Sequence, residues 1–126
     1  SRKQNLSVIS ESSFQLSKEC ALAKRYIDTN YSQNITLDLL AEITHINKFY
    51  LAHSFTECIG QSPINYLADR RIEACKDLLT TSDLSVTQIA SSAGFSSQSY
   101  FSQIFNKKVG MSPRQYRKLY SHVKRE

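Results

Sequence analysis

An all-α fold of seven helices, in which two helix-turn-helix units are joined by a long linker helix, is predicted from three observations. The first is an internal repeat, residues 36–66 being answered by residues 85–116. Ala41 corresponds to Ala90 at an offset of 49. After one extra residue, Leu51, Phe55, Gly60, Ser62, Pro63 and Tyr66 correspond to Phe101, Phe105, Gly110, Ser112, Pro113 and Tyr116 at an offset of 50. The second is the punctuation within each copy: a short helical pattern, a tight turn, a longer helical pattern, then Gly-x-Ser-Pro opening another helix. The third is composition. Three Gly and two Pro in 126 residues argue for helices rather than an all-β fold.

Residues 1–13 are Ser-rich and polar without sustained period, and read as a linker or disordered end. The first helix is expected from Phe14 to Asn30, where Leu16, Cys20, Ala23 and Ile27 recur at helical spacing and Leu22 and Tyr26 widen the stripe. Thr36 caps the second helix, whose inner face is Leu37, Leu40, Ala41 and Thr44, with Ile35 and Leu40 as a hydrophobic staple. A turn at His45-Ile46 leads to Asn47, the cap of a third helix that stops at Gly60.

Ser62 and Pro63 then open the linker helix, about 63–81, packed through Ile64, Leu67, Ala68, Arg71, Ile72, Cys75, Leu78 and Leu79. Arg71 falls on that packed stripe and reads as structural, with Asp38 and Glu42 as possible partners. The second unit, about 85–110, starts with a capping box of Ser85 and Gln88 and a staple of Leu84 with Ile89. Gly94 supplies a left-handed turn residue. A sixth helix is expected over 97–109, ended by Gly110, and Pro113 opens a short seventh. The double unit thus covers 14–120, leaving 121–126 as a charged tail.

A helix-turn-helix places its second helix in a DNA major groove. At about 100° per residue, Leu51, Phe55 and Cys58 share one side of the third helix, while Phe49, Ala52, His53 and Thr56 share the other, with Lys48 near the start. On the sixth helix Phe101, Ile104 and Phe105 face inward, and Ser99, Ser102, Gln103 and Asn106 face outward. Neither outward stretch, 48–56 or 97–108, carries a carboxylate, which phosphates would repel. Gln103 and Asn106 suit adenine, His53 suits guanine acceptors or phosphate, and Phe49 suits thymine methyls.

Phosphate contacts are expected at helix N-termini, around Thr36, Ser62, Ser85 and Ser112, with Lys48, Lys107, Lys108, Arg114 and Arg117 adding charge. A linker helix of about 18 residues spans roughly 27 Å, of the order of the ~34 Å between major-groove faces one turn apart. One molecule is therefore expected to read two different boxes on successive turns of double-stranded DNA.

Other classes fare worse. A net charge of +5 and pI of about 9.2 suit a polyanionic partner. Cys20, Cys58 and Cys75 are odd in number and widely spaced, so they read as free thiols packed on apolar helix faces, in keeping with a reducing, cytoplasmic setting. No apolar run is long enough for a membrane span, and no signal peptide is visible. His45, His53 and Cys58 lack a recognised metal-ligand spacing, and neither a cofactor nor a metal is expected. No nucleophile–base pair or phosphate loop points to an enzyme. A protein-binding domain would need an apolar outward face, and Phe49 alone does not supply one. A membrane-surface segment would need a longer cationic amphipathic helix than His122 to Arg125.

The spacing Arg71-Ile72-x-Ala74-x-x-x-Leu78-Leu79, then Val86-x-x-Ile89-Ala90-x-x-x-Gly94-Phe95-x-x-x-Ser99-Tyr100-Phe101-x-x-x-Phe105-x-x-x-x-Gly110-x-Ser112-Pro113-x-x-Tyr116-Arg117, resembles the signature of the AraC/XylS transcription regulators. The first unit fits through Leu37, Leu40, Ala41, Leu51, Phe55, Gly60, Pro63 and Tyr66, so that the resemblance covers about residues 16–120. It implies a sequence-specific, DNA-binding regulator whose reading positions fall on Phe49, Ala52 and His53, and on Gln98, Ser102 and Gln103. It also implies a sensing or dimerisation domain outside this stretch. The start at Ser1 fits a fragment of a longer protein. RNA polymerase is an expected partner if the protein activates. Two departures stand out. His45 occupies a turn position where the family often has Gly, and Gln103 and Asn106 stand where Arg and Lys are common.

Overall fold

Each helix after the first begins where a side chain can accept from the otherwise unpaired N–H groups of a first turn, and several end where the backbone turns left-handed. The computed structural model describes residues 18–122. Its helices are α1 (18–30), α2 (Leu37–Thr44), α3 (Lys48–Ile59), α4 (Pro63–Thr81), α5 (Val86–Ser92), α6 (Gln98–Val109) and α7 (Pro113–Tyr120). The described residues form seven helices and no strands. The caps fall as expected: Thr36 accepts from Leu39 N, Asn47 from Phe49 N and Tyr50 N, and Ser62 from Asn65 N. Ser85 and Gln88 form a reciprocal capping box. Ser112 and Gln115 form a second one, which the same Ser-x-x-Gln spacing could have signalled.

The chain divides into two units. The first comprises the described residues up to Thr29 together with Ile35–Tyr66, and the second comprises Asn30–Asn34 and the chain from Leu67 onward. In the first unit the buried apolar side chains are Cys20, Ala23, Ile27, Ile35, Leu40, Leu51 and Phe55. Tyr66 packs edge-on against Phe55 at 5.8 Å between ring centroids. Its hydroxyl donates to Asp28 at 2.6 Å, and Asp28 also accepts from Lys24 at 3.1 Å. Burial, with the bond to Asp28, pushes the Tyr66 pKa up.

In the second unit Ile72, Cys75, Leu79, Val86, Ile89, Ala90, Ala93, Phe95, Phe101 and Phe105 form one core. A run of tilted and edge-on aromatic contacts threads it, Phe95–Phe101 at 5.1 Å, Phe101–Phe105 at 5.6 Å and Phe105–Tyr116 at 5.6 Å. Such pairs contribute about 0.5–1.5 kcal/mol each beyond area burial. The 30–34 segment belongs here because Arg71 holds it. Its Nε donates to Tyr31 O at 2.7 Å and its Nη2 to Gln33 O at 2.8 Å. Arg71 is thus structural as expected, but its partners are carbonyls rather than Asp38 or Glu42. Burial lowers its pKa.

Four packing expectations need correction. Ile64 is 48% exposed. Pro63 and Leu67 form the buried side at the start of α4, and Ile64 lies about 100° from Pro63 around the axis. Leu22 is exposed on α1, so the buried stripe there is Cys20, Ala23 and Ile27, widened only by the half-buried Tyr26. Leu84 is also exposed and is a poor staple for Ile89. Cys58, on the inward side of the wheel, is exposed, whereas Cys20 and Cys75 are buried. Burial raises those two thiols to about 11 and about 12 respectively, which keeps them protonated. Phe14, Leu16, the 1–13 segment and residues 123–126 of the expected tail lie outside the described residues.

Candidate nucleic-acid interface

Two 12-residue helices, α3 and α6, are presented alike by their units. A left-handed residue breaks the chain before each: His45 at φ 60° and Gly94 at φ 95°. Behind each, one equivalent hydrogen bond closes the turn, Ile46 N to Ala41 O at 3.3 Å and Phe95 N to Ala90 O at 3.0 Å. Asn47 and Ser97 then cap the helices, Ser97 by accepting from Tyr100 N at 3.1 Å. Ser97 is therefore the cap rather than the first residue of α6. Leu51 and Phe55 anchor α3, and Phe101 and Phe105 anchor α6; all four are fully buried. Opposite them each helix keeps a free face. The inward Ile104 is only half-buried.

On α3, Phe49 is 72% exposed. Ala52 is half-buried and Thr56 exposed, with its hydroxyl donating back to Ala52 O at 2.8 Å. His53 Nε2 lies 3.2 Å from Glu57 Oε1. Lys48 Nζ lies 3.0 Å from Asp38 Oδ1 and 5.4 Å from the Phe49 ring centre. On α6, Gln98, Ser99, Gln103 and Asn106 are exposed and Ser102 is half-buried. Ser102, Gln103 and Asn106 share a shallow depression with Ser112 and Gln115 at the start of α7. Gln98 Oε1 accepts from the Thr87 hydroxyl on α5.

Among the candidate phosphate groups, Thr36, Ser62, Ser85 and Ser112 all serve as caps, each hydroxyl oxygen accepting from a backbone N–H. The hydroxyl hydrogen can still donate. No Asp or Glu stands in the first turn of α3, α4, α5, α6 or α7, so the positive ends of these helices are not offset by their own carboxylates. Lys107 and Arg114 are exposed.

Lys108 and Arg117 also make contacts within the second unit. Lys108 Nζ is 2.6 Å from Asp69 Oδ1 and its side chain is mostly covered. Arg117 donates from Nε to Leu79 O at 3.0 Å and from Nη2 to Ser82 O at 3.3 Å, satisfying carbonyls at the end of α4. Both were expected at phosphates. Their position on the surface of their own helices said nothing of the distant groups that occupy them. Conversely, Glu57 and Thr87, which hold His53 and Gln98, were not singled out, and Asp38, which holds Lys48, was named only as a possible partner of Arg71. The repeat carried a signal for two of them, since Asp38 and Thr87 correspond at an offset of 49 and Lys48 and Gln98 at an offset of 50.

No group of three or more His, Cys, Asp or Glu among the described residues could hold a metal ion. No helix among them is long and apolar enough to cross a membrane.

The helix-turn-helix domain family matches residues 40–119. The chain is 38% identical over 100 residues to the uncharacterized HTH-type transcriptional regulator YobQ of Bacillus subtilis, covering 79% of this chain and 42% of that protein. It is 39% identical over 94 residues to the melibiose operon regulatory protein of Escherichia coli, covering 75% of this chain and 31% of that one. It thus spans less than half the length of either regulator. Among solved structures, the C-terminal domain of AraT, a response regulator from Geobacillus stearothermophilus, superposes with a TM-score of 0.83 at 33% identity, covering 88% of this chain and 93% of that one. The DNA-binding domain of the global transcriptional factor AdpA, solved with a target DNA, superposes with a TM-score of 0.71 at 27% identity, covering 83% and 91%. With the paired turns, paired anchors and paired free faces, these likenesses establish that the chain belongs to the AraC-type family of transcription regulators, as a DNA-binding helix-turn-helix domain.

Proposed function

We propose that α3 and α6 both enter the major groove, on successive turns of one duplex, and that each reads a different short box. The observation that carries this reading is the equivalence of the two free faces. The equivalent anchors, Leu51 and Phe55 on α3 and Phe101 and Phe105 on α6, are fully buried, and the positions opposite them carry base-reading chemistry that differs between the units. Phe49, Ala52, His53 and Thr56 would meet one box, with Lys48 at its edge. Gln98, Ser99, Ser102, Gln103 and Asn106 would meet the other. Phosphates would be held at the capped N-termini of Thr36, Ser62, Ser85 and Ser112, with Lys107 and Arg114 supplying charge. The 14–120 stretch is the operative double unit, and the regulator works in the cytoplasm without catalysing a reaction. A sensing or dimerisation domain belongs to the rest of the protein, and RNA polymerase is the partner if it activates.

Selection of bound sequences from a random duplex pool at fixed salt tests this. Two different boxes about one turn, or ~34 Å, apart are expected. A single box would mean that one unit grips the backbone without reading. Enrichment of nothing, with affinity that merely follows salt, would overturn sequence-specific recognition.

A further inference from the structure

We propose that Thr87 is a positioning residue that decides which base Gln98 selects, turning it toward guanine and away from adenine. This rests on the reading of α6 as a groove helix. Gln98 is the first residue of α6, and Thr87 is the second residue of α5. Both are exposed, so the bond between them is not a by-product of core packing.

A free glutamine offers an acceptor and a donor side by side, which matches the N6 amino group and N7 of adenine. Here the acceptor end is engaged. Gln98 Oε1 accepts from the Thr87 hydroxyl on α5, and with the oxygen held there the NH2 group would be the end left for a base. That leaves two donor hydrogens at the exposed end. The major-groove edge of guanine presents two acceptors, N7 and O6, and no donor. Adenine presents its N6 hydrogens where the turned amide also presents hydrogens. Guanine is therefore favoured and adenine disfavoured.

The first unit has a bridge at the same two positions. Asp38, the equivalent of Thr87, holds Lys48, the equivalent of Gln98, at 3.0 Å. In both units the second residue of the leading helix fixes the first residue of the reading helix. The chemistry differs, an ion pair in one and a neutral hydroxyl–amide bond in the other. A lysine has only donors to offer, so the bridge to Asp38 cannot change which base edge suits it. At Gln98 the bridge chooses between the two ends of the amide, so only there does it alter base preference.

The test is sequence selection from a random duplex pool with the wild-type protein and with Thr87→Val, Thr87→Ser and Gln98→Ala, each checked by circular dichroism for an unchanged fold. Wild type and Thr87→Ser are expected to select guanine at one base pair of the second box. Thr87→Val keeps the shape but removes the hydroxyl, and its guanine-over-adenine preference at that pair should fall about tenfold, the scale of one base contact. Rescue by serine separates positioning from a merely structural role. If Gln98→Ala abolishes the preference while Thr87→Val leaves it intact, the proposal fails and the reading of α6 survives. If wild type selects adenine there, the proposal also fails. Should Gln98→Ala change nothing, the proposal falls together with the reading beneath it.

Discussion

The turn before α3 and the turn before α6 share a left-handed residue and one closing hydrogen bond at equivalent positions, with different residues, and the two sites are constrained to different degrees. His45 adopts φ 60° and ψ 32°, with its N–H bonded to Ala41 O. Gly94 adopts φ 95° at the corresponding position. A side chain in the left-handed region costs about 1–2 kcal/mol. In the first unit the His45 side chain is exposed, which leaves room for it. In the second unit a Cβ on Gly94 would stand 2.7 Å from Ser32 O and 3.1 Å from Arg71 Nη2, and Arg71 is the residue that holds the 30–34 segment. A shared backbone conformation therefore does not imply a shared tolerance of side chains. The second turn is also a packing site, and the first is only a bend.

Substitution at the turns separates the two units most sharply. Gly94→Ala should destabilise the second unit by about 2–4 kcal/mol, combining left-handed strain with a backbone clash. His45→Gly should be close to neutral, with a gain of about 0.5 kcal/mol as relieved strain outweighs added unfolded-state entropy. Urea unfolding of both variants measures this, and equal effects would erase the distinction. Arg117→Ala should cost about 1–3 kcal/mol, since it leaves the Leu79 and Ser82 carbonyls without their donor. It should leave the salt dependence of DNA binding unchanged, whereas Lys107→Ala should flatten that dependence with little loss of stability. A flattened slope for Arg117→Ala would return that residue to the phosphates.

His53→Ala and Gln103→Ala should each relax preference at one box only, by about 1–3 kcal/mol of discrimination, read by competition between matched and mismatched duplexes. Relaxation at the same base pair by both would mean that the two helices do not read separate boxes. The smallest effect is expected for Asp38→Asn. Its ion pair with Lys48 is largely exposed, and such pairs contribute at most about 1 kcal/mol. Release of Lys48 should tighten binding to all sequences alike and steepen the salt dependence by roughly one phosphate contact. A change of base preference instead would make Asp38 a specificity residue of the first unit.

The helices and their limits were legible because their determinants are local. Thr36, Asn47, Ser85 and Gly60 act on residues within one turn, and Cys20, Ala23 and Ile27 mark a face by spacing alone. Partners were not legible. A helical wheel shows that Arg71 points inward, but not that it meets the carbonyls of Tyr31 and Gln33, 40 and 38 residues away. The same gap separates Lys108 from Asp69 and Arg117 from Leu79. Ile64 was misplaced because a single stripe was drawn along α4, although its first turn belongs to one unit and the rest to the other. The free faces of α3 and α6 could be drawn from the anchors. The contacts that orient Lys48, His53 and Gln98 lie between helices or just past the drawn face, and they required coordinates.

The five consecutive helices without an acidic first turn have a bearing on how stable this domain can be. A carboxylate in such a position typically contributes 0.3–1 kcal/mol at low salt, roughly. Forgoing it five times leaves the unbound domain below the stability its own fold permits, a common trade where a surface is kept for function. A bound polyanion would supply the missing charge from outside. If phosphates occupy these helix starts as proposed, glutamates installed there would make a sturdier domain that binds DNA more weakly.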